Sequence, residues 1–330
     1  MSRLIALAAL AFFASASPAS AAGPAAVQAE IAHISKSIDG VVGVAAWRLD
    51  GRGPRVLVNA DQQFPMASTF KVPIAGTVLS QVDKGPLKLD QLVPIDPNMM
   101  VESEGLAETF HHPGVSVSIE NLLELMLTVS DNTATDTLEK LVGGPAVVTR
   151  WVRSQGIEGL RVDRDTAGLI RDFYGLPPGP SFPASLEAGL KANPALEEKS
   201  DDPDPKFDND PQDTSTPTAM AQLLERIYSG KALSPASTKL LGEIQERNTT
   251  GKARIRARLP AGTVVAEKTG TIGGSVNNVG VITLPGNAGK LIVAVFIKKS
   301  SKPFEDRERV IADVSRALYD YYLFEAPGGQ

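Results

Sequence analysis

Ser68 and Lys71 are the first residues in this chain whose types and spacing could do chemistry together. Three positions apart on a helix, a hydroxyl and an amine project from one face, one turn from each other. A serine hydroxyl is a poor nucleophile until a base takes its proton, and a lysine can be that base only when its amine is neutral. Burial or a neighbouring positive charge makes it so, and Lys268 is the cation expected to supply that charge. An S-x-x-K match arises about once by chance in a chain this long, so Ser68 alone would read as an ordinary helix N-cap. Two rarer triplets alter that reading: Ser130-Asp131-Asn132 and Lys268-Thr269-Gly270 each occur once, in that order.

Each triplet has the groups one amide-cleaving site would need. Ser130 can relay a proton to a leaving nitrogen, and the Asn132 amide can hold both substrate and Lys71. Asp131 is suited to cap the helix that follows. Lys268 and Thr269 offer a cation and a hydroxyl to a carboxylate, while Gly270 lets a ligand come close to the backbone. At the start of its helix, the N–H of Ser68 has no intrahelical partner and can face a developing oxyanion.

The elements that must position these groups follow from periodicity. Val41 to Leu49 and Arg55 to Asn59 are β-rich runs separated by Asp50-Gly51-Arg52-Gly53-Pro54, a hairpin signal. Strands return at Thr263 to Lys268, Val276 to Leu284 and Leu291 to Lys298, with helical patterns at Pro24 to Ile38 and around Ile311, Val314, Leu318 and Tyr321. Between Ser68 and Gly156 the pattern is helical. Strands at both chain ends with helices between predict an α/β (α+β) fold: a five-stranded antiparallel sheet flanked by helices, with an inserted all-α lobe. Residues 22–66 and 251–330 then form the sheet lobe and 67–250 the helical lobe, with ligand in the crevice between them.

Composition narrows the class. Arg3, the apolar run Leu4 to Ala14 and Ala19-Ser20-Ala21 read as a signal peptide over residues 1–21, hence a periplasmic or secreted protein. There is no cysteine, which excludes thiol catalysis, disulfides and a lipid-modified cysteine anchor. His33, His111 and His112 lack metal-ligand spacing, so neither metal nor other cofactor is expected. A net charge of −5 argues against nucleic acid. The final helix has too many charges to cross a membrane. The expected partner is a small molecule, with no stable membrane anchor and a monomeric chain. Acidity is concentrated in residues 172–212, with nine Asp/Glu, three Lys and eight prolines. That stretch reads as a surface excursion or linker, periodic only from Ser185 to Ala192.

The three motifs together resemble the serine β-lactamase/DD-peptidase superfamily, and most closely the class A β-lactamases. Phe64-Pro65-Met66-Ala67-Ser68-Thr69-Phe70-Lys71 is similar to that family's nucleophile segment, and Ser130-Asp131-Asn132-Thr133-Ala134 continues as the family does. Asp213-Thr214-Ser215-Thr216-Pro217 resembles the end of its Ω-loop, and Asn248-Thr249-Thr250-Gly251 the stretch before Lys-Thr-Gly. The resemblance implies a transpeptidase-like fold and catalysis by Ser68, Lys71 and Ser130. It implies substrate binding by Asn132, Lys268, Thr269, Gly270, Thr271 and Arg254, with the N–H groups of Ser68 and Thr271 as oxyanion hole. Arg254 would bind the substrate carboxylate. Arg164 and Asp213 look like the family's neck ion pair, enclosing an extended loop over residues 163–213.

One departure bears on mechanism. Class A enzymes have Glu-x-x-Leu-Asn in the Ω-loop, whose Glu activates the deacylating water. Here Asp165-Thr166-Ala167-Gly168-Leu169-Ile170 follows Arg164, with neither the Glu nor the Asn in register. Glu187, inside the excursion, and Asp165 are the candidate deacylation bases. The expected function is β-lactam hydrolysis through an acyl-enzyme at Ser68, with deacylation the step most altered. The alternatives are a D-Ala-D-Ala carboxypeptidase of the penicillin-binding type and a non-catalytic β-lactam or cell-wall binder.

Overall fold

The structure is a computed structural model describing residues 23–196 and 202–324; the signal-peptide expectation for residues 1–21 lies outside the described residues. In chain order the elements are α1 (Pro24–Ile34), β1 (Val41–Arg48), β2 (Val56–Val58), β3 (Phe64–Pro65), α2 (Lys71–Asp83), β4 (Leu92–Pro94), α3 (Leu106–Thr109) and β5 (Ser116–Ser118). Then come α4 (Ile119–Thr128), α5 (Asn132–Val142), α6 (Pro145–Ser154), α7 (Thr166–Tyr174), α8 (Phe182–Ala192), α9 (Pro205–Asp208) and β6 (Thr214–Ser215). The chain continues with α10 (Pro217–Tyr228), α11 (Pro235–Glu246), β7 (Val265–Ile272), β8 (Ser275–Thr283), β9 (Lys290–Lys298) and α12 (Phe304–Phe324).

The sheet has the order β2-β1-β9-β8-β7, every neighbour antiparallel. It is the five-stranded sheet from both chain ends expected from sequence. Its three central strands and most of β7 are buried almost without interruption because both faces are covered. Ala45, Trp47, Val279, Val281, Ile292, Ala294 and Phe296 point to the helical side, into one core with α2, α4, α6 and α10. Their alternate neighbours Val42, Val44, Val276, Val293, Val295 and Ile297 pack under α1 and α12. α10 lies on β1, β8 and β9 and α11 on β7, so these helices join the two lobes into continuous packing.

The excursion is closed at its neck by charge. Arg164 Nε donates to Asp213 Oδ2 at 2.6 Å, and the other Asp213 oxygen accepts the N–H groups of Asp163 and Arg164. Arg164 also pairs with Asp172 and Asp210. Inside the neck the segment builds structure of its own. Phe173 meets Phe207 edge-on, 5.2 Å between ring centroids, in a cluster with Leu169 that reaches Ile272 at the end of β7. Leu176 and Phe182 pack with Val101 and Ala167. Prolines start α8 and α9, where a missing N–H costs nothing. The described part of the excursion is therefore a folded flap that rests on the end of the β7 edge strand.

Arg164→Ala would leave Asp213, only 2% exposed, as an unpaired buried charge. The expected cost is about 3–5 kcal/mol, seen as a lower Tm, with limited proteolysis cutting first between residues 172 and 212. A variant with wild-type Tm and cleavage pattern would show that the neck pair is dispensable.

Candidate active site

Ser68 sits in the 3-10 turn Ala67–Phe70 that leads into α2. Ala67 just before it has φ 45°, a left-handed conformation that costs a residue with a Cβ roughly 1–2 kcal/mol. Bonds from elsewhere hold it. Asn277 on β8 donates through Nδ2 to the carbonyls of Pro65 at 2.9 Å and Met66 at 3.0 Å, and Met66 N–H donates to Asp213 O. Gly270 on β7 lies against the same turn: a Cβ there would stand 2.6 Å from Met66 O and 3.0 Å from Ser68 N. Only glycine lets the edge strand approach the nucleophile this closely.

The second motif lies between α4 and α5. Ser130 has φ 63°. Asp131 caps α5 by accepting from Ala134 N at 2.7 Å, and its other oxygen accepts from Leu106 N at 2.5 Å. This fixes Ser130 above the two amines. Lys71 Nζ donates to Ser130 O at 2.6 Å, Ser130 Oγ at 3.1 Å and Asn132 Oδ1 at 2.8 Å. Lys268 Nζ reaches the same Ser130 Oγ at 3.0 Å and the Thr269 carbonyl at 2.9 Å. Thr269 Oγ1 lies 2.5 Å from Thr250 Oγ1. Ser68, Lys71, Ser130, Asn132, Lys268, Thr269 and Gly270 thus line one seam between the sheet and the helical lobe.

Both amines are fully buried. Burial pulls the Lys71 amine down from 10.5 to about 7, opposed by the negative charges of Asp136 and then Asp131. Lys268 is pushed well below the ordinary lysine range, first by burial and next by the charge of Lys71. Burial, one of the two causes the sequence reading allowed, comes first for both amines, and the repulsion between the two like charges adds to it. A carboxylate arriving at Lys268 would supply the missing counter-charge and hold that ammonium.

Arg254, expected to bind a substrate carboxylate, is 3% exposed. It donates to Glu308 at 3.0 Å, to the carbonyls of Gly270 and Asn277, and to Thr271 Oγ1 at 2.7 Å. It therefore braces β7 and aims the Thr271 hydroxyl, and its charge acts on Lys268. Behind the strand, buried Glu267 accepts from Arg256 and Asn278. Sequence reasoning missed Asn277 and Asn278, although two adjacent amides in an apolar strand were a usable signal: a central strand buries such groups only when they are bonded.

Neither proposed water base is found at the cluster. Glu187 is exposed on α8, whose buried face is Phe182, Ser185 and Gly189; no contact joins it to Ser68, Lys71 or Ser130. Asp165 caps α7 through Gly168 N at 2.7 Å and lines an outer cavity with Glu139 and Lys140. Two carboxyls that the sequence did not single out are buried nearby on α5, Asp136 and Glu139, at 2% and 1% exposure.

Comparison with known proteins places this arrangement. Residues 26–322 match the family described as the beta-lactamase enzyme family. The chain belongs to that family. It is 31% identical over 304 residues to Beta-lactamase VEB-1 of Pseudomonas aeruginosa, covering 89% of each chain. It is 32% identical over 290 residues to Extended-spectrum beta-lactamase PER-1 of the same organism, covering 86% of this chain and 82% of that one. Among solved structures, the class A beta-lactamase reconstructed as the last common ancestor of Gram-negative bacteria superposes with a TM-score of 0.74 at 33% identity, over 90% of this chain and 99% of that one. The class A resemblance and the fold expected from it are borne out, and this is a serine β-lactamase by family.

Gly270→Ala tests the close approach of strand and nucleophile. The added methyl should cost about 1–3 kcal/mol and slow acylation of Ser68 by a labelled penicillin more than tenfold. Acylation at the wild-type rate would show that the turn can retreat.

Proposed function

We propose that this β-lactamase opens the β-lactam amide through an acyl-enzyme at Ser68 and then releases it to water. Neutral Lys71 takes the Ser68 proton as Oγ bonds to the lactam carbonyl carbon. The oxyanion forms against the N–H groups of Ser68 and Thr271. As the C–N bond breaks, the nitrogen leaves with a proton from Ser130, which is resupplied from Lys71 at 3.1 Å. Lys268 and Thr269 hold the substrate carboxylate, with Arg254 acting through Thr271, while Asn132 holds the acyl side chain and Lys71. The observation that carries this reading is the convergence of Lys71 and Lys268 on one hydroxyl, Ser130 Oγ. A proton relay between an attacked serine and a leaving nitrogen needs that geometry, whereas a binding module has no use for two buried amines.

We further infer an exported, monomeric enzyme that takes small-molecule substrates and has no lasting membrane anchor. The leader-like composition of residues 1–21 supports export. Among the described residues no helix is long and apolar enough to cross a membrane.

The purified protein is expected to hydrolyse a chromogenic cephalosporin over many turnovers, with Ser68→Ala inactive at unchanged Tm. The acylation rate should fall with acid. Lys71 is neutral above its folded value of about 7, so kcat/KM drops roughly tenfold per pH unit below it. Acylation that stays flat from pH 5 to 8 would remove Lys71 as the base.

A further inference from the structure

Glu139 is 1% exposed, and neither of its carboxyl oxygens has a hydrogen-bond partner. A carboxyl so placed has given up water for nothing in return, which sets it apart from the other buried polar groups of the helical lobe. Asp136, Glu139, Lys140 and Gly143 follow one another at helical spacing along one face of α5. That face, with Met99, Pro145 and Asp165, lines a cavity of about 460 Å³ to which the Ser68 seam contributes no residue.

Negative charge dominates the cavity. Burial first, then the charges of Asp136, Asp165 and Asp213, push the Glu139 carboxyl up to about 9, and no cation acts on it in the other direction. Asp136 is raised to about 7 by burial and then by Asp165; it accepts the N–H groups of Thr166 and Ala167, and its charge reaches Lys71 on α2. Asp165 accepts from Gly168 N at the start of α7. Lys140 stands at the rim and donates to Met99 Sδ at 3.2 Å, not to any of the three acids. Among the described residues no three His, Asp or Glu side chains are grouped to hold a metal ion, so the missing counter-charge is an organic cation. Two unpartnered oxygens on one carboxyl match the parallel N–H pair of a guanidinium, and the walls at Met99 and Pro145 give its flat face an apolar surface.

We propose that this outer cavity binds a small guanidinium compound of about amino-acid size, held by a two-pronged ion pair to Glu139 and by the charges of Asp136 and Asp165. The site is separate from the acylation seam and does not depend on the hydrolase reading. A guanidinium keeps its charge at every working pH, so the proton that must leave on binding is the one on Glu139. The ionised form that binds is fully present only above the folded value of about 9, and affinity is lost as pH falls below it.

Calorimetric titration of the whole protein with N-acetyl-L-argininamide, whose one charge is its guanidinium, tests the site. Binding should saturate at one equivalent at pH 9 and weaken about tenfold per unit from pH 8 to 6, with at least about one proton released at pH 7. Glu139→Gln should bind at least about tenfold more weakly at pH 9, while labelled penicillin still acylates its Ser68 at the wild-type rate. Tetramethylammonium, a cation with no N–H to donate, should not displace the amide. No saturable binding at pH 9, equal affinity in Glu139→Gln, or equal affinity at pH 6 and 9 would overturn the proposal. Displacement by an equal concentration of tetramethylammonium would do the same, by showing diffuse attraction in place of a two-pronged pair. Should Glu139→Gln not fold, the pH series and the competitor decide on the wild-type chain. A pentapeptide with arginine at its centre should bind at least about tenfold more weakly than the amide; equal binding would move the site to an arginine of a partner protein and overturn the small-molecule assignment.

Discussion

Two buried lysine amines that share one serine hydroxyl are the constraint on which this structure depends. Each amine is unfavourable there, since burial works against the charged form. The surrounding elements make the placement possible. The 3-10 turn and α2 present Lys71, the cap at Asp131 fixes Ser130, and β7 brings Lys268 in from the edge of the sheet. Ala67 and Ser130 hold left-handed backbone that neither would choose alone. The bonds around them over-determine both positions, which is the condition under which strain persists at a site.

This explains why the two lobes cannot act as independent units. The nucleophile turn is held by an amide from β8 and by the carbonyl of Asp213 at the flap's neck. Lys268 and Ser130 come from opposite sides of the seam. Arg254 ties α12 to β7 and β8 through Glu308, Gly270 and Asn277. A shift of the sheet relative to the helical lobe would therefore break the proton relay before it broke either core.

Much of this was legible in the sequence. The strands follow from apolar runs bounded by turn residues, and the three motifs named the residues that meet. What was not legible depended on burial. α5 reads Asn-Thr-Ala-Thr-Asp-Thr-Leu-Glu, a polar helix by composition, yet Thr133, Thr135, Asp136, Thr137 and Glu139 are all buried. Threonines and acids at that density suggest a solvated face, so the burial of Asp136 and Glu139 was not foreseen. The same limit left two causes open for a neutral Lys71: sequence shows which charges exist but not how far each is from water. The excursion was ambiguous because its proline-rich, acidic composition suits both a linker and a flap. Phe173, Phe182 and Phe207 decide for the flap where it is described.

The groups for the two chemical steps are anchored differently. Those for acylation are fixed by the sheet, α2 and α5, with bonds in several directions for each side chain. Those facing the second step depend on the loop after Arg164, which is attached through the Asp213 neck and through two N–H bonds to Asp136. Asp136 holds this loop from α5 through two of its backbone N–H groups, so the attachment does not depend on the loop's own side chains. In that arrangement residues 165–170 can lose a glutamate while the nucleophile, the relay and the carboxylate grip keep their geometry.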